Sequence, residues 1–183
     1  DFWMFQYHGA VLAAAAHALS PILRSACIAG TFDTKHLTPG GSHPLIDPNY
    51  SSADLRIEHV GLRYSRFAKT QMVADWEAGL NNIRVCTQIN SALKASAHAM
   101  NCGKCEKCIR TMTALVALGK LSDSRAFPAN DVSKELLKSV VIQRPYQRAC
   151  YEEMIQPLQE QGRDDLAQGI RKPILKYRLK RIL

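Results

Sequence analysis

Cys102, Cys105 and Cys108 stand in the run Cys-Gly-Lys-Cys-Glu-Lys-Cys, with a fourth cysteine upstream at Cys86. Two residues between thiols is the spacing at which one turn of chain brings both within about 2.3 Å of a single tetrahedral ion. Core packing has no reason to repeat it. Gly103 falls where that turn folds back tightly, a conformation glycine adopts without steric cost. Four thiolates around a zinc ion make a closed, structural site with no open position for catalysis. Such a site carries two formal negative charges, which Lys104 and Lys107 help offset. Its binding free energy, on the order of 10 kcal/mol, is also folding free energy. The same four thiols suit an iron–sulfur cluster, or stand reduced without metal. A disulfide framework fits less well: four cysteines cluster, while Cys27 and Cys150 stand alone in the sequence. That usage points to a reducing compartment, hence the cytoplasm.

A second group of candidates lies in Thr31–Tyr50. Residues 33–54 hold three prolines, two adjacent glycines and many small polar groups, the composition of a long loop. Loops of that length without regular structure are usually functional or disordered. Asp33, Ser42, His43 and Asp47 have the chemistry to contact a ribose, a base edge or magnesium. The plainer alternative is that Asp33 and Ser42 make turns and that Asp47-Pro48 starts one. Lys69, one turn from Arg66, is a candidate phosphate contact against the alternative of a solvated helix face. His8 beside Gly9, near a helix start, has a similar claim on a phosphate. His17, on an alanine-rich helix, reads as packed. Cys27 reads as a buried thiol rather than a nucleophile. No Gly-x-Ser-x-Gly elbow is present.

These residues must be positioned by elements the pattern predicts. Residues 3–19 read as a helix. The apolar run 25–32 reads as a strand buried on both faces of a parallel sheet. Arg56–Leu62 alternates as a second strand, and Ile83–Gln88, carrying Cys86, reads as a third. Between them Ser65 can cap a helix whose apolar residues are Phe67, Ala68, Met72, Val73 and Trp76. Strand and helix alternate in the manner of an α/β domain, with the loop after the first strand at the sheet's carboxyl end, where such sheets bind ligands. Ile109, Met112, Leu115 and Val116 recur at helical spacing, and Gly119 suits a helix C-terminus. Residues 132–140 and 146–161 read as helices, as do 164–182 with a break expected at Pro173. The division expected is an α/β portion with the cysteine cluster over residues 1–121, followed by a helical extension over 122–183.

The cysteine pattern resembles the carboxyl-terminal half of the PP-loop adenine-nucleotide enzymes of the 7-cyano-7-deazaguanine synthase type. They place one cysteine near a strand, then a Cys-Gly-x-Cys-x-x-Cys cluster with an arginine soon after, matched here by Cys86, Cys102, Cys105, Cys108 and Arg110. The chain is more closely similar to uncharacterised bacterial relatives of that family, which share the strings Gly41–Pro48 and Asn101–Met112. The resemblance spans roughly residues 8–120. It implies a partial Rossmann-like parallel sheet of the PP-loop type, a structural Zn²⁺, and ATP and Mg²⁺ as ligands. The implied activity is AMP-forming adenylation of a small-molecule substrate. The family's Ser-Gly-Gly-x-Asp-Ser loop, which grips the ATP pyrophosphate, is absent from the sequence. The chain is therefore expected to be the later part of a longer protein, and inactive in ATP chemistry without an upstream segment.

Charge supplies the competing reading. Of 24 basic and 16 acidic residues, three basic and five acidic lie in residues 1–60, so the net +8 resides wholly in the remainder. Arg171–Leu183 holds six basic residues and no acid. An anionic partner for this tail is expected, and a zinc-binding module contacting nucleic acid without catalysis is the alternative function. A peripheral membrane contact through Ile170–Leu183 is a third. No apolar run reaches the length of a transmembrane helix. Substrate and oligomeric state are not legible.

Overall fold

A computed structural model describes residues 2–86 and 100–180, and the chain divides into two units, Asp1–Arg66 and Phe67–Leu183. It is mixed α/β, with a small two-stranded parallel sheet and many helices. No described helix is long and apolar enough to cross a membrane.

In the first unit a π-helical turn, Trp3–Tyr7, runs into α1, His8–Ala18. Gly9 on α1 donates its amide to the Gly41 carbonyl at 2.8 Å. A side chain on Gly9 would press within 2.9 Å of Asp47 Oδ1, so only glycine lets the following loop lie on the helix start. The sheet pairs β1, Ser25–Ala29, with β2, Arg56–Val60, in parallel register, Ile28 opposite His59. Thr34–His36 and Asp47–Tyr50 form 3₁₀ turns within the segment read as loop. Ala13, Ile28, Leu55 and Ile57 make the unit's buried apolar cluster. The parallel pairing agrees with expectation, but burial on both faces does not. Ile28 alone in β1 is buried and Cys27 is exposed, because alternation turns every second side chain outward from so small a sheet.

The second unit contains α2, Arg66–Ala74, continuing from the first, then α3, Glu77–Asn82, and α4, Glu106–Ala117. It continues with α5, Lys134–Lys138, α6, Pro145–Glu160, and α7, Asp164–Leu179. α4 is its spine: every residue from Cys108 to Ala117 is buried. A helix covered on all sides belongs at the centre of a core. α6 packs on α4, and α7 on α5 and α6, around Met112, Leu115, Tyr151, Met154, Leu158 and Ile170. Gly119, at φ +65°, ends α4 as the sequence indicates.

Three readings need correction. Trp76 lies outside α2 and is 65% exposed, and Met72 is also exposed, so the helix face is narrower than its apolar residues suggest. Residues 83–86 are not a strand; residues 87–88 of that reading lie outside the described residues. α7 runs unbroken through Pro173. Pro173, Ile170, Ile174 and Tyr177 are buried together, and that packing holds the helix across the missing amide.

Candidate metal centre

The thiols of Cys86, Cys102, Cys105 and Cys108 all lie within 4.8 Å of one another. Cys102 and Cys108 stand 3.8 Å apart, Cys105 and Cys86 3.9 Å, and Cys105 and Cys108 3.4 Å. A tetrahedron of sulfurs at 2.3 Å from a central ion has edges of about 3.8 Å. Cys86, Cys102 and Cys108 are buried, Cys105 partly so. Four soft donors gathered in this way could bind a metal ion.

Each thiol is placed by a different device. Gly103, at φ +69°, folds the first Cys-x-x-Cys turn, and a Cβ there would stand 2.8 Å from Pro128 Cγ. The Cys105 amide closes the turn by donating to Cys102 Sγ at 3.3 Å. Cys105 is the N-cap of α4 and Cys108 lies in its first turn, so the positive end of the helix dipole faces thiolate charge. Cys86 comes from the distant 83–86 segment, which Asn101 holds. Asn101 is fully buried. Its Oδ1 accepts from the amides of Val85 and Cys86 at 2.9 and 3.1 Å, and its Nδ2 donates to the carbonyls of Ile83 and Ala126 at 2.8 and 2.9 Å. These bonds take the place of the expected strand ladder. One side chain thus aligns Cys86 with its own neighbour, Cys102.

Burial works to raise the Cys102 pKa, but amides of Lys104 and Cys105 and the thiols of Cys86 and Cys105 outweigh it, bringing it to about 7. Burial pushes Cys105 and Cys108 up instead. Lys104 and Lys107 are exposed beside the cluster. Arg110, one turn into α4, pairs with Glu106 at 3.0 Å and lies 5.5 Å over the Tyr146 ring. Burial opposes its charge, and Glu106 together with Cys150, Tyr151 and Tyr146 outweighs it, holding the guanidinium above its ordinary value.

The remaining candidates from the sequence lie in the first unit, apart from Lys69 on α2 in the second. Asp33 caps the Thr34–His36 turn, accepting from the His36 amide at 3.0 Å and meeting its Nδ1 at 2.7 Å. Ser42, His43 and Asp47 come together. Asp47 is fully buried; Ser42 Oγ donates to its Oδ2 at 2.6 Å and the His43 amide to its Oδ1 at 3.2 Å. The His43 ring faces elsewhere, its Nδ1 accepting from the Leu45 amide at 3.2 Å. His17 Nε2 donates to the Tyr50 carbonyl at 2.7 Å, a packing role. His8 Nδ1 is buried without a hydrogen-bond partner among the described residues.

Two residues escape sequence reading. Asn101 sits inside a string whose cysteines draw the eye. His59 lies in β2 with no motif around it, yet its Nδ1 stands 2.6 Å from Asp47 Oδ2 with its side chain 5% exposed. The available signal was its place two residues after Ile57 on the alternating strand, the face that turns inward.

No protein-family model, curated protein or solved structure matches this chain.

Proposed function

We propose that Cys86, Cys102, Cys105 and Cys108 hold one zinc ion as a structural staple, and that the chain is the zinc-bearing portion of a PP-loop ATP pyrophosphatase-like enzyme. The thiol spacing carries the first part. Sulfurs 3.4–3.9 Å apart suit one central ion. A cluster of two or four irons gives the thiolates separate irons to bind and would set them wider apart. All four positions are taken by sulfur, so the metal has no open coordination site for substrate, and its role is to fix the start of α4 against the 83–86 segment.

The enzymatic part rests on the resemblance of residues 8–120, supported by the parallel β1–β2 pair and the polar segment that leaves its carboxyl end. In this reading ATP and Mg²⁺ bind with a small-molecule substrate in a Rossmann-like sheet larger than the two strands described. The substrate oxygen attacks the α-phosphorus, pyrophosphate departs, and a nitrogen or sulfur nucleophile then displaces AMP. The test is metal analysis of the purified protein with a pyrophosphate-release assay under ATP and Mg²⁺. One zinc per chain, lost in Cys102→Ser, is the expected result. Iron with a visible charge-transfer band would overturn the zinc assignment. A complete gene product lacking a Ser-Gly-Gly-x-Asp-Ser loop would overturn the enzymatic one.

A specific observation favours a second reading of the tail. Arg171, Lys172, Lys176 and Lys180 are all exposed on or just after α7, whose opposite face is buried. A zinc module contacting nucleic acid through this surface would bind tRNA or duplex DNA with steep salt dependence. Filter binding at low ionic strength tests it, and no retention there would remove it.

A further inference from the structure

From the Asp47–His59 pair we infer that His59 is a catalytic base, with Asp47 its positioning residue; the inference rests on the enzymatic reading above. Three donors converge on a carboxylate with no exposure: Ser42 Oγ and His59 Nδ1 on Oδ2, and the His43 amide on Oδ1. A carboxylate accepts and does not donate, so the bond to His59 requires the proton on Nδ1, and in the neutral ring that tautomer leaves the lone pair on Nε2. Nε2 has no hydrogen-bond partner among the described residues. It lies over Gly30, where an added Cβ would stand only 2.7 Å away.

The location gives that lone pair a use. Gly30 directly follows β1, and His59 is the penultimate residue of β2, so Nε2 sits at the carboxyl ends of both parallel strands. Beyond the strands the chains stay together, Gly30 donating to the Val60 carbonyl at 2.8 Å and Thr34 to the Leu62 carbonyl at 3.1 Å. Ligands of open parallel sheets bind at this edge. Ser42 bonds the carboxylate rather than the imidazole, so it is not an activated nucleophile, and the proton to be removed belongs to a ligand. In the second half of the proposed reaction a nitrogen nucleophile attacks the adenylated carbon. The nitrogen lone pair forms the new bond, AMP leaves with the carbon–oxygen pair, and the proton shed by nitrogen passes to Nε2. Asp47 keeps the Nδ1 proton in place and faces the imidazolium with opposite charge.

The test uses the full chain with ¹⁵N-histidine and, in parallel, diethyl pyrocarbonate labelling read by peptide mass spectrometry. His59 is expected as the Nδ1–H tautomer and to be acylated at Nε2. Asp47→Asn should shift the tautomer and slow labelling at least tenfold, while Gly30→Ala, which crowds Nε2, should slow labelling without changing the other histidines. An Nε2–H tautomer, or labelling of His59 unchanged by Asp47→Asn in a folded protein, overturns the inference. Where the complete protein converts ATP to AMP and product, His59→Gln should cut turnover at least a hundredfold at an unchanged melting temperature. An effect below threefold overturns the inference. Absence of ATP turnover in the wild type would overturn the enzymatic reading and with it the catalytic role, whereas the tautomer and labelling results separately decide whether Asp47 holds His59 with Nε2 open to a proton.

Discussion

Asn101 illustrates how a single buried amide can place a metal ligand. It saturates both its oxygen and its nitrogen on four backbone groups from two segments, 83–86 and the stretch at Ala126. Truncation leaves two amides and two carbonyls without partners, each costing about 1–3 kcal/mol when buried, less what water recovers in the space opened. Asn101→Ala should therefore lose about 2–4 kcal/mol of stability. Because Cys86 is then no longer held in register, metal affinity should fall roughly tenfold or more, as for other residues that orient ligands from behind. Competition with a zinc-binding dye and thermal melts measure both. Unchanged affinity in a destabilised variant would mean the thiols find the ion without Asn101. The cysteines themselves were legible from the sequence, since metal spacing leaves a mark in one short run. Asn101 and His59 were not, because their partners lie 15–25 and 12 residues away and a hydrogen bond leaves no periodicity.

The turn that carries the cluster and the start of α7 make two further predictions. Gly103 is left-handed at φ +69° with Pro128 at the site of any side chain. Left-handed backbone costs a non-glycine residue about 1–2 kcal/mol, and the proline must also move. Gly103→Ala should thus destabilise the protein by about 2–3 kcal/mol and slow metal uptake, whereas Gly162→Ala, with equal φ but open space around it, should show the backbone cost alone. The difference between their denaturation midpoints isolates the Pro128 contact. At the start of α7, Arg163 bonds Asp165 at 3.1 Å and holds its carboxyl below the usual range. A depressed folded-state value gives stability that is present above the unfolded carboxylate value of about 3.9 and lost as pH falls through the folded one. Asp165 is half exposed, so the gain is at most about 1 kcal/mol. Asp165→Asn should lose it at neutral pH and converge with the wild type only as pH falls through the lowered folded-state value. Convergence at higher pH would mean the ion pair does not form in solution. Helices such as α4 and α6 were legible because their apolar spacing reflects long buried faces. Residues 83–86 imitate a strand in composition, and only the side chain that claims their amides decides otherwise.

The two units differ in what can hold them together. Phe67–Leu183 surrounds a buried spine with the four-cysteine cluster at its head, so a metal bound there would reinforce the apolar core. Asp1–Arg66 buries Ala13, Ile28, Leu55 and Ile57, and among the described residues its sheet has two strands. A two-stranded sheet is marginal alone, and chains near this length gain little from so few buried side chains. The Asp47 cluster adds hydrogen bonds, but a net gain of about 1 kcal/mol each does not replace a core. Expressed separately, residues 67–183 should fold with zinc, melt in one cooperative transition and lose that transition in a chelator. Residues 1–66 should show no cooperative transition with or without metal. Circular dichroism melts and hydrogen exchange on the two fragments decide the matter. Protected amides in β1 and β2 of the isolated 1–66 fragment would show that the buried carboxylate network, rather than apolar burial, is what organises the sheet. In that case Asp47→Ala should abolish the protection, and the same residue that orients His59 would also be the principal support of the strands whose ends it occupies.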